Sequence, residues 1–179
     1  MLSFRQATIN DIDSIITIEE QSFAAGIKEA REVFLERIRV FPAGFLLLET
    51  KESDSPIGYI CSELWPGEHE LQLNNLTLGH SIQKVHHPQG QKLYISSMGV
   101  LPEFRGRGYG ELLLNQLIAV ITRDYPQVKS VVLIVSENWL AARKTYQKLG
   151  FQEIGLIPAF FQPVDTPSEQ GIIMRKKIS

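Results

Sequence analysis

The sequence predicts an α/β layered sandwich, with a mixed, mostly antiparallel sheet of about seven strands flanked by about four helices. Three observations carry that expectation. Runs of strand length interleave with stretches of helical spacing in the order β-α-α-β-β-β-α-β-α-β-β. "SVVLIVS" is continuously apolar and β-branched, as a strand covered on both faces must be. The helical stretches also carry start and stop signals, such as Thr8 with Asp11 at one entry and Gly150 at one exit.

In chain order, residues 3–7 form a first short strand. Thr8 caps a helix in which Ile12, Ile15, Ile16 and Phe23 recur at helical spacing. A second helix runs from Glu29 to Phe41 with Val33, Phe34 and Ile38 on one face, and Pro42 and Gly44 stop it. "GFLLLET" and "PIGYICSELW" read as an antiparallel hairpin across the polar turn "KESDSP". Residues 66–91 show little pattern, and a connection that long is commonly functional or disordered. "KLYISSMGV" is a central strand, followed by a glycine-rich turn and a helix over 108–123. After "SVVLIVS", "NWLAARKTYQKLG" is a helix. "FQEIGLI" and "GIIMRKKI" are closing strands around a second irregular loop, 158–170.

The 179 residues fit one domain spanning 1–179, large enough to bury a core without disulfides or metals. A net charge of −2 offers no global basic field, so neither nucleic acid nor a membrane surface is an expected partner, and any anion site must be local. The single cysteine, Cys61, allows no disulfide framework and points to a reducing, cytoplasmic setting. The N-terminus has no signal run, and no stretch reaches the ~18 apolar residues of a membrane helix. A monomer and a homodimer both remain open.

"VLPEFRGRGYGELLL" places Gly106, Gly108 and Gly110 between a strand and a helix, with Arg105 and Arg107 among them. Helix starts leave backbone N–H groups unpaired at the positive end of the dipole, and glycines let phosphate approach them. A phosphate ligand, specifically a pyrophosphate, is implied. The dinucleotide fingerprint fails because its third glycine falls on Glu111, and no P-loop Gly-Lys-Ser/Thr follows. The fit is Arg-x-x-Gly-x-Gly over Arg105–Gly110, which resembles the acetyl-CoA pyrophosphate loop of the GNAT superfamily of N-acetyltransferases. "ENWLAARKTYQKLGF" resembles that family's second signature through Asn138, Ala141, Tyr146, Lys148, Gly150 and Phe151. The short matches "EEQSF", "FPAGFLLLE", "SELW", "LTL" and "HHPQG" are similar to the arylalkylamine (serotonin) N-acetyltransferase branch and its bacterial relatives.

The resemblance implies a GNAT-like fold and transfer of acetyl from acetyl-CoA to an amine in a ternary complex. It implies cofactor contacts along Met98, Gly99 and Val100 of the central strand, at Arg105, Gly106, Arg107, Gly108, Tyr109 and Gly110 of the turn, and at Asn138. It makes Tyr146 the proton donor to the departing thiolate; the same tyrosine also reads as an aromatic packing residue. Asn138 equally reads as a helix N-cap. Gly99 suits a bulge or a close backbone approach.

Such chemistry needs a deprotonated amine, a polarised thioester carbonyl and protonation of the leaving thiolate. The strand histidines of animal arylalkylamine enzymes are replaced here by Tyr94 and Ser96, neither a base at neutral pH. Glu63 on the adjacent strand is the catalytic candidate, acting through water, against a reading as a solvent-facing strand residue. A water chain without a single base is an alternative. His69, His80, His86 and His87 all lie in 66–91; no metal is expected there, and one of them could reach the site as a base. Cys61 reads as a small core residue, which argues against a covalent acetyl-enzyme. Trp65 and Trp139 could line a pocket, with aromatic core packing as the default reading. Phe160 and Phe161 suit an aromatic or apolar acceptor, Glu68 and Glu70 a cationic one. The acceptor is expected to be a small amine, an arylalkylamine or a polyamine; a peptide amine is the alternative. A CoA-binding module without useful catalysis is the rival of another class.

Overall fold

The structure, a computed structural model, describes residues 1–67 and 77–178. The expectations placed on Glu68, His69 and Glu70 fall outside them. β1 (Leu2–Gln6), β2 (Phe45–Thr50), β3 (Gly58–Trp65), β4 (Lys92–Val100), β5 (Ser130–Ser136), β6 (Gln152–Phe161) and β7 (Glu169–Lys177) form one sheet. The strand order is β1-β2-β3-β4-β5-β7-β6. β4 and β5 pair in parallel; the other neighbours among the described residues are antiparallel. The mixed, mostly antiparallel seven-stranded sandwich is the one anticipated. No helix among the described residues is long and apolar enough to cross a membrane.

Among the described residues five α-helices flank the sheet: α1 (Ile12–Ser22), α2 (Arg31–Val40), α3 (Ile82–Val85), α4 (Tyr109–Asp124) and α5 (Leu140–Lys148). One of them, α3, lies in the stretch read as irregular; a single turn is too short to show a period. Thr8 caps a 3-10 turn, Ile9–Asp11, that runs into α1. The Asp11 carboxylate accepts from the Thr8 backbone N–H at 2.8 Å and from the two terminal Arg5 guanidinium nitrogens, which hold its carboxyl down at about 2.

The core lies on both faces of the sheet. α1 buries Ile12, Ile15 and Ile18, and α4 buries Leu113, Leu114, Leu117 and Ile121, which is the helical spacing of one apolar stripe on each. β5 is buried along most of its length because it sits between β4 and β7, with Val131, Leu133 and Val135 in the main core and Val132 packed with Trp65, Tyr94 and Ile173. The loop expected over 158–170 is shorter than read. β6 continues to Phe161 and β7 begins at Glu169, across an irregularity between Ile157 and Phe161 where Ala159 takes φ 54°.

Candidate active site

The site begins where two strands part. β4 and β5 pair only at Lys92–Ser130, Leu93–Val131 and Tyr94–Val132. β4 then bulges: Ser62 faces Ile95 and Cys61 faces Ser97, so Ser96 has no opposite residue on β3. A bulge bends its strand and breaks the ladder. β5 meanwhile continues along β7 to Ser136. The gap that opens is a cleft with Met98 and Tyr146 on its walls, and these two residues also line the groove leading to the glycine turn.

Along that groove run Met98 and Val100 from β4, Gly106, Gly108 and Tyr109 from the turn, and Thr145 with Tyr146 from α5. Gly106 and Gly108 sit at φ 77° and 79°, a left-handed conformation that glycine adopts without strain. Gly108 is the N-cap of α4, whose first-turn N–H groups have no partner inside the helix. A β-carbon at Gly110 would stand 3.7 Å from the Met98 side chain, so glycine keeps the groove floor low. Backbone donors, a positive helix end and an apolar channel suit a pyrophosphate followed by a pantetheine arm.

The predicted cofactor residues do not all face this groove. Gly99 packs against α1, where an added β-carbon would stand 2.9 Å from Ser22 Oγ and 3.1 Å from Ile18; the bulge is at Ser96 instead. Arg105 lines the groove but donates to the carbonyls of Val100 at 3.0 Å and Gln21 at 3.2 Å, so it also ties the turn to α1. Arg107 turns away from the groove, donating to Glu52 at 3.2 Å with its guanidinium over the Phe104 ring at 5.2 Å. Asn138 is exposed in a neighbouring depression shared with Arg105. It is not the helix cap: that position belongs to Trp139, and the Asn138 N–H donates to Ser136 Oγ at 3.2 Å. Tyr146 packs its ring on Phe151 at 5.9 Å, and burial pushes its hydroxyl up to about 12.

On the far side of the cleft the walls are aromatic. Trp139 lies 5.9 Å from Phe23 and 4.9 Å from Phe161, and Phe160 stacks edge-on to Phe161 at 4.8 Å. The β6 irregularity turns two consecutive phenylalanines toward the cavity, and Gly171 leaves room, since a β-carbon there would meet Phe160 at 2.9 Å. Into this apolar cleft α1 brings a carboxylate, Glu19. It accepts the Glu29 N–H at 2.8 Å and the Tyr59 hydroxyl, and that hydroxyl lies 2.5 Å from Ser97 Oγ on the cleft wall. Burial raises the Glu19 carboxyl above its ordinary range, and the neighbouring N–H, Tyr59 and Arg37 only partly offset that. Glu29 accepts Arg37 at 3.3 Å and the Gly79 N–H at 3.1 Å.

Glu63 is neither exposed nor on the cavity wall. Its side chain is fully buried, accepts Trp65 Nε1 at 2.9 Å, and is hydrogen-bonded to His80. His80 lines a small adjoining cavity with Tyr94, Ser96 and Phe160. Tyr94 is stacked on Trp65 at 4.3 Å and raised far above the ordinary phenol range, first by burial, which excludes it as a base.

Residues 12–151 match the acetyltransferase (GNAT) family. The chain belongs to the GNAT acetyltransferase family. Its chemistry is therefore acyl-CoA-dependent N-acetyl transfer. It is similar to a serotonin N-acetyltransferase of Mesocricetus auratus, 29% identical over 154 residues, 85% of this chain and 68% of the relative. It is also similar to N-alpha-acetyltransferase 50 of Danio rerio, 27% identical over 103 residues, 57% of this chain and 60% of the relative. Among solved structures, the loading GNATL domain of CurA from Lyngbya majuscula superposes with a TM-score of 0.81 at 17% identity, covering 99% of this chain and 98% of that one. That last likeness concerns the fold alone.

For a GNAT acetyltransferase the sequence reading missed Glu19, Glu29 and Arg37, and set His80 among four alike. The signal for Glu19 was present: it sits four residues after Ile15, on the apolar stripe of α1. Arg37 likewise follows Phe34 by three on the buried face of α2. A charge on an apolar stripe is a buried charge, and buried charges need partners.

Proposed function

We propose that this GNAT acetyltransferase moves the acetyl group of acetyl-CoA directly to a small primary amine with an aromatic or apolar arm. The observation that carries the reading is the Glu19 carboxylate, buried among Phe23, Trp139 and Phe161 at the point where β4 and β5 part. Aromatic walls hold the arm, and the carboxylate attracts the ammonium head. A carboxylate raised by burial is a better proton acceptor than a solvated one. Glu19 takes a proton from the ammonium and frees the nitrogen lone pair, which attacks the thioester carbon. The carbon–sulfur bond then breaks, Tyr146 gives its hydroxyl proton to the thiolate, and the new amide nitrogen returns a proton to Tyr146. The proton left on Glu19 reaches solvent through the Tyr59–Ser97 hydrogen bonds or water. Acetyl-CoA lies along the groove from Gly108 to Met98. The similarity to a serotonin N-acetyltransferase supports an arylalkylamine.

A peptide α-amine is the second reading, favoured by the similarity to an N-alpha-acetyltransferase. Acetyl-CoA-dependent thiol release separates the two across tryptamine, phenethylamine, spermidine and short peptides. The expected result is turnover of the arylalkylamines, with kcat/KM rising with pH as Glu19 ionises. In Glu19→Gln that acidic limb disappears and kcat/KM falls about 10²-fold or more. Peptide turnover with silent arylalkylamines would reverse the assignment, and an unaltered Glu19→Gln would remove Glu19 from the chemistry.

A further inference from the structure

Glu63 and His80 have no part in the steps above, yet they are among the most deliberately held groups in the molecule. His80 Nδ1 faces the Thr77 carbonyl at 2.7 Å, and Nε2 faces the Glu63 carboxylate. With the Glu63 carboxylate ionised both partners accept, so both ring nitrogens carry hydrogen and the ring is an imidazolium. A ring in that state has no lone pair for a substrate, which removes it as a general base while the bonds hold. Among the described residues its neighbours fit a cation: Glu63 from β3, the Tyr94 ring from β4 at 6.2 Å, and Glu29 from the segment before α2, with Arg37 of α2 the opposing charge. Burial works against the charge, but the hydrogen bond and field of Glu63 outweigh it and raise His80 above its ordinary value.

What this pair holds is a wall of the cavity. Thr77–His80 form a tight turn, with Gly79 at φ 74°. The turn is fixed twice by buried carboxylates, through His80 to Glu63 and through the Gly79 N–H to Glu29. Leu78, at its tip, lines both the cleft between β4 and β5 and the small adjoining cavity. Glu63 is oriented in turn by Trp65 Nε1, and its other oxygen has no partner among the described residues.

We propose that His80, anchored by Glu63, is a positioning residue that sets the acceptor-binding wall: the imidazolium pins the Thr77–His80 turn so that Leu78 closes over the bound amine. The inference rests on the acceptor site assigned above. Because the folded-state value of His80 is raised, the pin is complete below the ordinary histidine value near ~6.5 and is lost as pH rises through the His80 value.

Two measurements on the full chain test it. The first needs no acceptor. In an NMR titration the His80 ring signal, assigned by its loss in His80→Gln, is expected to titrate above ordinary histidine and to move down in Glu63→Gln. The Leu78 methyl signals are expected to follow the same midpoint. The second is steady-state kinetics with tryptamine. His80→Gln is expected to raise the amine KM about tenfold at pH 6.5, with kcat and acetyl-CoA affinity unchanged, and the gap from the wild type is expected to close as pH rises. Leu78 signals blind to the His80 titration, an unchanged KM, or a loss confined to kcat would each overturn the proposal. If the wild-type protein leaves tryptamine untouched, the acceptor assignment fails, and the Leu78 response alone decides whether the pin exists.

Discussion

Tyr146 shows how one side chain acquires a role from its surroundings. It stands on the short helix α5, none of whose residues is fully buried, and yet its ring reaches the junction of groove and cleft. Burial alone pushes its hydroxyl up to about 12, so it stays a donor through the whole working range and contributes no alkaline limb below that value. Tyr146→Phe keeps the ring and its packing on Phe151 and removes only the proton. The expected outcome is a kcat about 10²-fold lower with acetyl-CoA binding unchanged, measured by thiol release beside calorimetric titration. Unchanged turnover would assign thiolate protonation to water. At the residue scale the motif brought Tyr146 to notice, and the structure puts it on the wall shared by groove and cleft. The sequence reading missed Glu19, because an apolar periodicity counts the isoleucines and passes over the carboxylate that follows Ile18 on the same stripe.

Elements were legible to the extent that their signals were local. The hairpin of β2 and β3, the cap at Thr8 and the turn into α4 all formed where the residues placed them, since apolar runs and turn residues act within a few positions. The bulge at Ser96, the β6 irregularity and the Thr77–His80 turn were not legible, because each depends on a partner far along the chain: Cys61, Gly171 and the carboxylates of Glu29 and Glu63. The glycine turn belongs to the first kind, and its prediction concerns an element rather than a side chain. A β-carbon at Gly108 would meet nothing within 4 Å, so Gly108→Ala tests only the left-handed backbone, at a cost of about 1–2 kcal/mol in thermal stability. Gly108→Asp carries the same strain plus a negative charge at the helix N-terminus where phosphate would sit. Binding of acetyl-CoA is expected to survive, weakened, in the first and to vanish in the second, by calorimetric titration of folded protein. Equal binding by both variants would move the pyrophosphate away from this turn.

The order of chemical events is a property of the whole molecule, because it depends on where the sheet places its one thiol. Cys61 points from β3 into the space between β4 and α2, fully buried, with Arg37 at 3.7 Å and Ser96 Oγ at 3.3 Å. Burial raises the thiol to about 11 despite the guanidinium, so at neutral pH roughly one molecule in 10⁴ holds a thiolate. It lines neither the groove nor the cleft. The groove and the aromatic cleft meet at Met98 and Tyr146, so the sites proposed for the thioester and the amine adjoin. Direct transfer in a ternary complex is therefore the expected kinetic scheme. Reciprocal plots at varied amine concentrations should intersect rather than run parallel. Protein incubated with acetyl-CoA alone should show no acetyl adduct by mass spectrometry, and Cys61→Ser should retain turnover. An acetyl adduct on Cys61, formed at the rate of catalysis, would overturn this scheme and require a path through the sheet from the groove to the thiol.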